Sequence, residues 1–156
     1  MPSLNAIARK VSAPGKGTRA ADESSGTIKK RFDTIGCEST EDRRRAYREM
    51  LFTTAGAADN IGGVILFDET IRQSSADGTP FPKLLESCGV IPGIKVDLGA
   101  KPLANAEGET VTEGLDGLRE RPEEYRRRGA RLPQWRPVSP LDADPPTRAP
   151  HPPTTP

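Results

Sequence analysis

The sequence predicts an α/β fold in which short parallel strands alternate with amphipathic helices. Gly62-Gly63-Val64-Ile65-Leu66-Phe67-Asp68 holds an unbroken apolar run, which marks a strand buried on both faces, as in a parallel sheet. Pro92-Gly93-Ile94-Lys95-Val96-Asp97 repeats the form, and helical periodicity fills the segments between. The third observation bounds the fold: nine of the 16 prolines fall in residues 132–156. Proline fixes φ and lacks a donor, so runs such as Asp144-Pro145-Pro146 and His151-Pro152-Pro153 continue neither a helix nor a central strand. Residues 1–131 are therefore expected to form the folded part, and 132–156 a disordered, Pro-rich tail.

The elements follow in order. Ser3 to Val11 reads as a short opening helix, and Pro14-Gly15-Lys16-Gly17 as a turn. Thr18 to Ala21 is a short strand ending at Asp22. Ile28, Phe32 and Ile35 recur at i, i+4 and i+7, one face of a helix closed by Gly36. Ser39 and Thr40 precede Glu41 and Asp42, a start signal with acids in the first turn. The helix that follows is expected to bury Ala46, Tyr47, Met50 and Leu51 and to expose Arg43, Arg44, Arg45 and Arg48. After the strand ending at Asp68, Ala76-Asp77-Gly78 is a turn and Phe81 to Cys88 a brief helix. A third strand ends at Asp97, a Gly-rich and acidic loop follows, and Gly114 to Arg128 is helical with a break near Pro122. The pattern amounts to about three βα units, where a complete eight-unit barrel takes ~250 residues.

Composition excludes several classes of function. Lys and Arg number 23 against 22 Asp and Glu, a net charge of +1, so no nucleic-acid or membrane-surface partner is expected. No apolar run approaches the length of a membrane span, and no leader pattern opens the chain, so a cytoplasmic location is expected. Cys37 and Cys88 have neither disulfide-framework nor metal-site spacing, and His151 has no partner ligand nearby. The hydrophobic share, 33%, is thin for a core of this length.

Two residues stand out chemically. Lys95 sits inside an apolar strand, where burial favours the neutral, nucleophilic amine. The residues alone leave it open between such a group and a structural ion pair with Asp97. Asp22 closes the first strand ahead of Glu23-Ser24-Ser25-Gly26 at a helix start, where an acid can hold a proton and backbone N–H groups can receive phosphate. An ordinary N-cap explains the same spacing. Lys30-Arg31 and Arg43-Arg44-Arg45 could bind anions, but the balanced charge favours solvated helix faces.

These segments resemble class I fructose-bisphosphate aldolase. The resemblance runs through Ala13-Pro14-Gly15-Lys16-Gly17, Ala20-Ala21-Asp22-Glu23-Ser24, Gly62-Gly63-Val64-Ile65-Leu66-Phe67, Gly93-Ile94-Lys95-Val96-Asp97 and Gly114-Leu115-Asp116-Gly117-Leu118. It covers roughly residues 5–131. It implies a partial (β/α)8 TIM barrel of about the first three to four βα units. It also implies reversible cleavage of fructose 1,6-bisphosphate to dihydroxyacetone phosphate and glyceraldehyde 3-phosphate, with no metal or other cofactor, usually in a homotetramer. A lysine forms a Schiff base with the ketose, and the iminium is the electron sink for C–C cleavage. By the same resemblance Asp22 is the first-strand catalytic aspartate and Lys95 a positive charge close to substrate, not the Schiff-base lysine. Ser24 and Thr27 fall near a substrate phosphate, with Arg31 near that site. Arg136 matches within the family's fourth-strand segment.

The chain departs from the family at Leu132-Pro133-Gln134-Trp135-Arg136-Pro137, where Gln134 replaces a catalytic lysine. Later family segments, including the sixth-strand Schiff-base lysine, are not matched. An out-of-frame reading of a GC-rich gene gives such an abrupt change to Pro, Arg, Ala and Thr. The expectation is a truncated or frameshifted aldolase fragment, inactive alone. The alternative is a non-catalytic fragment that binds sugar phosphate weakly or associates with intact aldolase.

Overall fold

The computed structural model describes residues 3–106 and 108–138. The opening helix α1, Leu4–Val11, is capped by Ser3, whose Oγ accepts from the Ala6 N–H at 3.2 Å. Strand β1, Gly17–Ala21, leads into α2, Ser25–Asp33, and then α3, Glu41–Thr53, with Thr40 capping the Arg43 N–H at 3.3 Å. A single turn, α4 (Ala57–Asn60), precedes β2, Ile61–Leu66. Then come α5 (Asp68–Ile71), α6 (Phe81–Ser87) and β3 (Ile91–Lys95). A hairpin, β4 (Gly99–Pro102) with β5 (Thr110–Glu113), stands before α7 (Arg121–Arg127) and β6 (Leu132–Gln134).

The main sheet has the order β1-β2-β3-β6, and every pair in it is parallel. Parallel neighbours require a crossover, and here α2 to α4, α5 with α6, and α7 supply them. This is a partial α/β barrel of four βα-type strands.

Alternation along each strand gives the sheet two faces. Ala21, Val64, Leu66, Ile94 and Val96 pack against Phe52, Phe81, Leu85 and Tyr125 from the helices. Ile65, Gly93 and Leu132 lie on the other face. A Cβ on Gly93 would sit 2.6 Å from Ile65 Cδ1 and 3.1 Å from Leu132 Cδ1, so these two side chains fill the space that glycine leaves. By the same alternation Asp22, Lys95 and Asp97 belong to that second face, with Gln134 beside Lys95 in register. At the opposite end of the strands, the end of α1 closes on β2. A Cβ on Gly62 would lie 2.5 Å from the Val11 carbonyl oxygen.

Several expectations need correction. Arg48 is 2% exposed and Met50 55%, reversing their expected places on α3. The buried stripe of α3 runs through Arg48 and Phe52, one helical turn apart, because Glu23 receives the arginine head. Ile35 lies beyond α2 and is exposed. The loop after β3 contains the β4–β5 hairpin, whose short polar strands give almost no periodic signal. The helix expected over Gly114–Arg128 begins only at Arg121, with Pro122 in its first turn, where a missing N–H costs nothing. Leu132, Pro133 and Gln134, expected to open a disordered tail, form β6. Pro133 fits because β6 is an edge among the described strands, and Val96 N–H still donates to the Gln134 carbonyl at 3.0 Å. Of the tail expected over 132–156, residues 139–156, with His151, lie outside the described residues.

Asp68 does not join the other strand-end aspartates. It opens α5, accepts the Tyr125 hydroxyl at 2.9 Å and pairs with Arg72, which also donates to Glu124 at 2.5 Å. Burial raises the Asp68 carboxyl, but hydrogen bonds from Arg72 and Tyr125 outweigh it and hold the group below its usual range. Hydrogen bonds from Arg72 and Arg128 lower Glu124 to about 2. Both carboxyls are more acidic folded than unfolded, so their stabilisation is complete above the unfolded values near ~4 and is lost as pH falls through the folded ones. Urea midpoints should therefore fall from about pH 5 towards pH 2. Arg72→Gln should flatten that limb, and an unchanged slope would show that this network contributes nothing.

Candidate functional site

The C-terminal ends of the parallel strands bring four charged side chains together. Asp22 follows β1, Lys95 ends β3, Asp97 lies two residues on, and Arg136 follows β6. Arg136 Nη1 stands 3.6 Å from Asp22 Oδ2, and its Nε donates to Asp97 Oδ2 at 3.4 Å. Lys95 Nζ lies 3.8 Å from Asp97 Oδ1, which also accepts the Gly99 N–H at 3.1 Å. The Asp97 side chain is 1% exposed and that of Arg136 47%, so the arginine closes the cluster on its solvent side. Asp22 Oδ2 is buried and has no hydrogen-bond partner among the described residues. A buried carboxylate oxygen held like this can accept a hydrogen bond from a ligand hydroxyl group. A groove lined by Asp97, Gly99, Ala100, Trp135 and Arg136 opens next to it.

A second group adjoins through the chain itself. Glu23, next to Asp22, is nearly buried and receives both Arg31 Nη1 and Arg48 Nη1 on its two carboxylate oxygens. Arg48 Nη2 also donates to the Glu23 carbonyl at 2.9 Å. Burial lowers the Arg48 pKa, against the pull of Glu23. Ser24 caps α2: its Oγ accepts the Thr27 N–H at 3.4 Å and lies 3.0 Å from Thr27 Oγ1. The capping role left open for this turn is therefore realised, and the two hydroxyls satisfy each other.

Of the residues expected from sequence, the structure gathers Asp22, Lys95 and Arg136 into one cluster. It places Ser24 at the N-cap of α2, Thr27 in its first turn and Arg31 in its last turn, with the Arg31 side chain reaching back to Glu23, and joins them to that cluster through Asp22-Glu23. Asp97, Glu23 and Arg48 were not expected as site residues. Asp97 was within reach, since a spacing of two on a strand puts it on the face of Lys95. Arg48 gave no signal, because a charged residue on a helix reads as solvent-facing.

A model of the family described as Fructose-bisphosphate aldolase class-I matches residues 3–151. The chain belongs to this family. The match continues past Leu132, beyond the span of about 5–131 over which the motifs alone were legible. A probable fructose-bisphosphate aldolase class 1 of Xanthomonas campestris is 58% identical over 144 residues, 92% of this chain and 43% of the relative. The cytosolic fructose-bisphosphate aldolase 6 of Arabidopsis thaliana is 52% identical over 93% of this chain and 40% of its own length. The chain thus spans about two fifths of the aldolases it matches. Among solved structures, the Plasmodium falciparum aldolase in complex with TRAP and a small-molecule inhibitor superposes with a TM-score of 0.81 at 48% identity. That match covers 84% of this chain and 38% of the aldolase chain. The shared fold is the aldolase barrel, of which these strands are a part.

Proposed function

We propose that this chain carries the first part of a class I aldolase centre, for reversible cleavage of fructose 1,6-bisphosphate to dihydroxyacetone phosphate and glyceraldehyde 3-phosphate in glycolysis. One observation carries the reading: Asp22, Lys95, Asp97 and Arg136 converge at the strand ends of a sheet whose sequence belongs to the aldolase family. Barrels of this kind place their chemistry at that end. Asp22 would manage a proton of the covalent intermediate, while Lys95 and Arg136 lend positive charge to the bound sugar phosphate. Ser24, Thr27 and Arg31 would receive a phosphate at the α2 start, the Ser24–Thr27 hydrogen bond giving way to the anion. The Arabidopsis relative is named cytosolic, and among the described residues no helix is long and apolar enough to cross a membrane. The relative's name supports a cytoplasmic location.

No lysine of these 156 residues matches the family's sixth-strand Schiff-base lysine, and Gln134 replaces another catalytic lysine, so this chain alone should bind substrate without turning it over. A coupled triose-phosphate assay should read no rate above a heat-killed control. Borohydride should trap no adduct of dihydroxyacetone phosphate with the chain. A trapped adduct on any lysine, or release of triose phosphate, would overturn this assignment of roles.

A further inference from the structure

Glu23 is shared by two arginines of very different exposure. The Arg31 side chain is 55% exposed, whereas those of Glu23 and Arg48 are 7% and 2% exposed. Among the described residues Arg48 Nε has no acceptor, and Glu23 is the partner its other nitrogens address. Charge arithmetic then becomes specific. The cluster of Asp22 and Asp97 with Lys95 and Arg136 sums to zero, two of each sign. The group of Glu23 with Arg31 and Arg48 sums to +1, and Arg31 is its most exposed member. Were Glu23 paired with Arg31 alone, the two would cancel, and an anion approaching α2 would meet a neutral pair.

We infer that Arg48 is a charge-balancing positioning residue: by taking up half of the Glu23 carboxylate, it leaves Arg31 a net positive charge for a phosphate monoester at the start of α2. Arg48 touches no ligand. It works from the far side of Glu23, in a buried setting where Coulomb terms are stronger than in water. A buried ion pair seldom adds net stability over apolar packing of the same volume, so keeping a buried arginine at this point of α3 is better explained by the field it sets than by the fold. The inference rests on the proposed function, because it deepens the phosphate role given there to Arg31.

The test uses the full chain and two probes, inorganic phosphate and fructose 1,6-bisphosphate, followed by calorimetric titration at low salt. Glu23→Gln removes the negative member, so affinity for both probes should rise about threefold or more. Arg48→Met should weaken binding about tenfold, while Arg48→Lys, which keeps the charge, should stay within about threefold of wild type. Because Arg48→Met risks unfolding, circular dichroism must accompany it. The double variant Glu23→Gln with Arg48→Met removes one charge of each sign and should return to about the wild-type affinity. A purely structural role predicts the reverse: Glu23→Gln no tighter than wild type, and the double variant weaker than either single one. Either of those results overturns the inference. Wild-type binding with unmoved charge variants overturns it alone. A wild-type chain that binds neither probe overturns the functional reading and this inference together.

Discussion

Arg48→Ala should cost about 3–5 kcal/mol of folding stability, read as a lower urea midpoint at pH 7. The guanidinium is 2% exposed and donates to both the carboxylate and the carbonyl of Glu23. Alanine would strand the Glu23 carboxylate in a buried site with Arg31 as its remaining partner. It would also leave the Glu23 carbonyl without the donor at 2.9 Å and open a cavity of several methylenes under α3. For a domain whose total stability is on the order of 5–15 kcal/mol, that is a large fraction. Glu23→Gln/Arg48→Met should lose far less, because it removes the charges together and keeps an apolar chain in the space. Equal losses in the two variants would show that volume and not charge dominates there.

Phe81→Ala should cost a comparable ~3–5 kcal/mol for a different reason. Phe81 is fully buried, and its ring meets Phe52 edge-on with centroids 5.2 Å apart and planes at 82°. It joins α6 to α3 over the helix-facing side of the sheet, where Leu66, Ile94 and Tyr125 belong to the same cluster. No polar group is orphaned by the change, so the loss is transfer free energy plus cavity, and Phe81→Leu should recover more than half of it. Leu115, 70% exposed, is the control: its alanine variant should stay within about 0.5 kcal/mol of the parent. A Phe81→Ala loss no larger than that would mean the helical layer does not hold this sheet.

What was legible in the sequence was local. The run Gly62–Leu66 announced a doubly buried strand, and Ser3 and Thr40 announced helix starts that their side-chain oxygens do cap. Asp22 and Lys95 stood out because polar groups at the ends of apolar strands need an explanation, and the sheet sets them on one face. What stayed hidden was decided across distance in the chain. Arg48 finds Glu23 25 residues earlier, and Arg136 reaches Asp97 39 residues back. Neither pairing leaves a periodic trace. The proline-rich composition from residue 132 onward argued against ordered structure there, yet Pro133 stands in an edge strand, where its missing N–H costs no ladder bond. The β4–β5 hairpin escaped because its strands are only four residues long and largely polar, β4 is poor in strand-forming residues, and the pairing of Gly99 with Glu113 to Pro102 with Thr110 sets the structure.

The proposed function has the strand ends of this partial barrel bind a sugar phosphate through Asp22, Lys95, Asp97, Arg136 and the start of α2. Its most direct test is a residue-resolved amide NMR titration of the 156-residue chain with fructose 1,6-bisphosphate at low ionic strength. Saturable shifts centred on 22–27, 95–99 and 134–136 are expected, reduced together by Lys95→Met or by raised salt. Shifts absent from these segments, or spread evenly over the surface arginines, would contradict it.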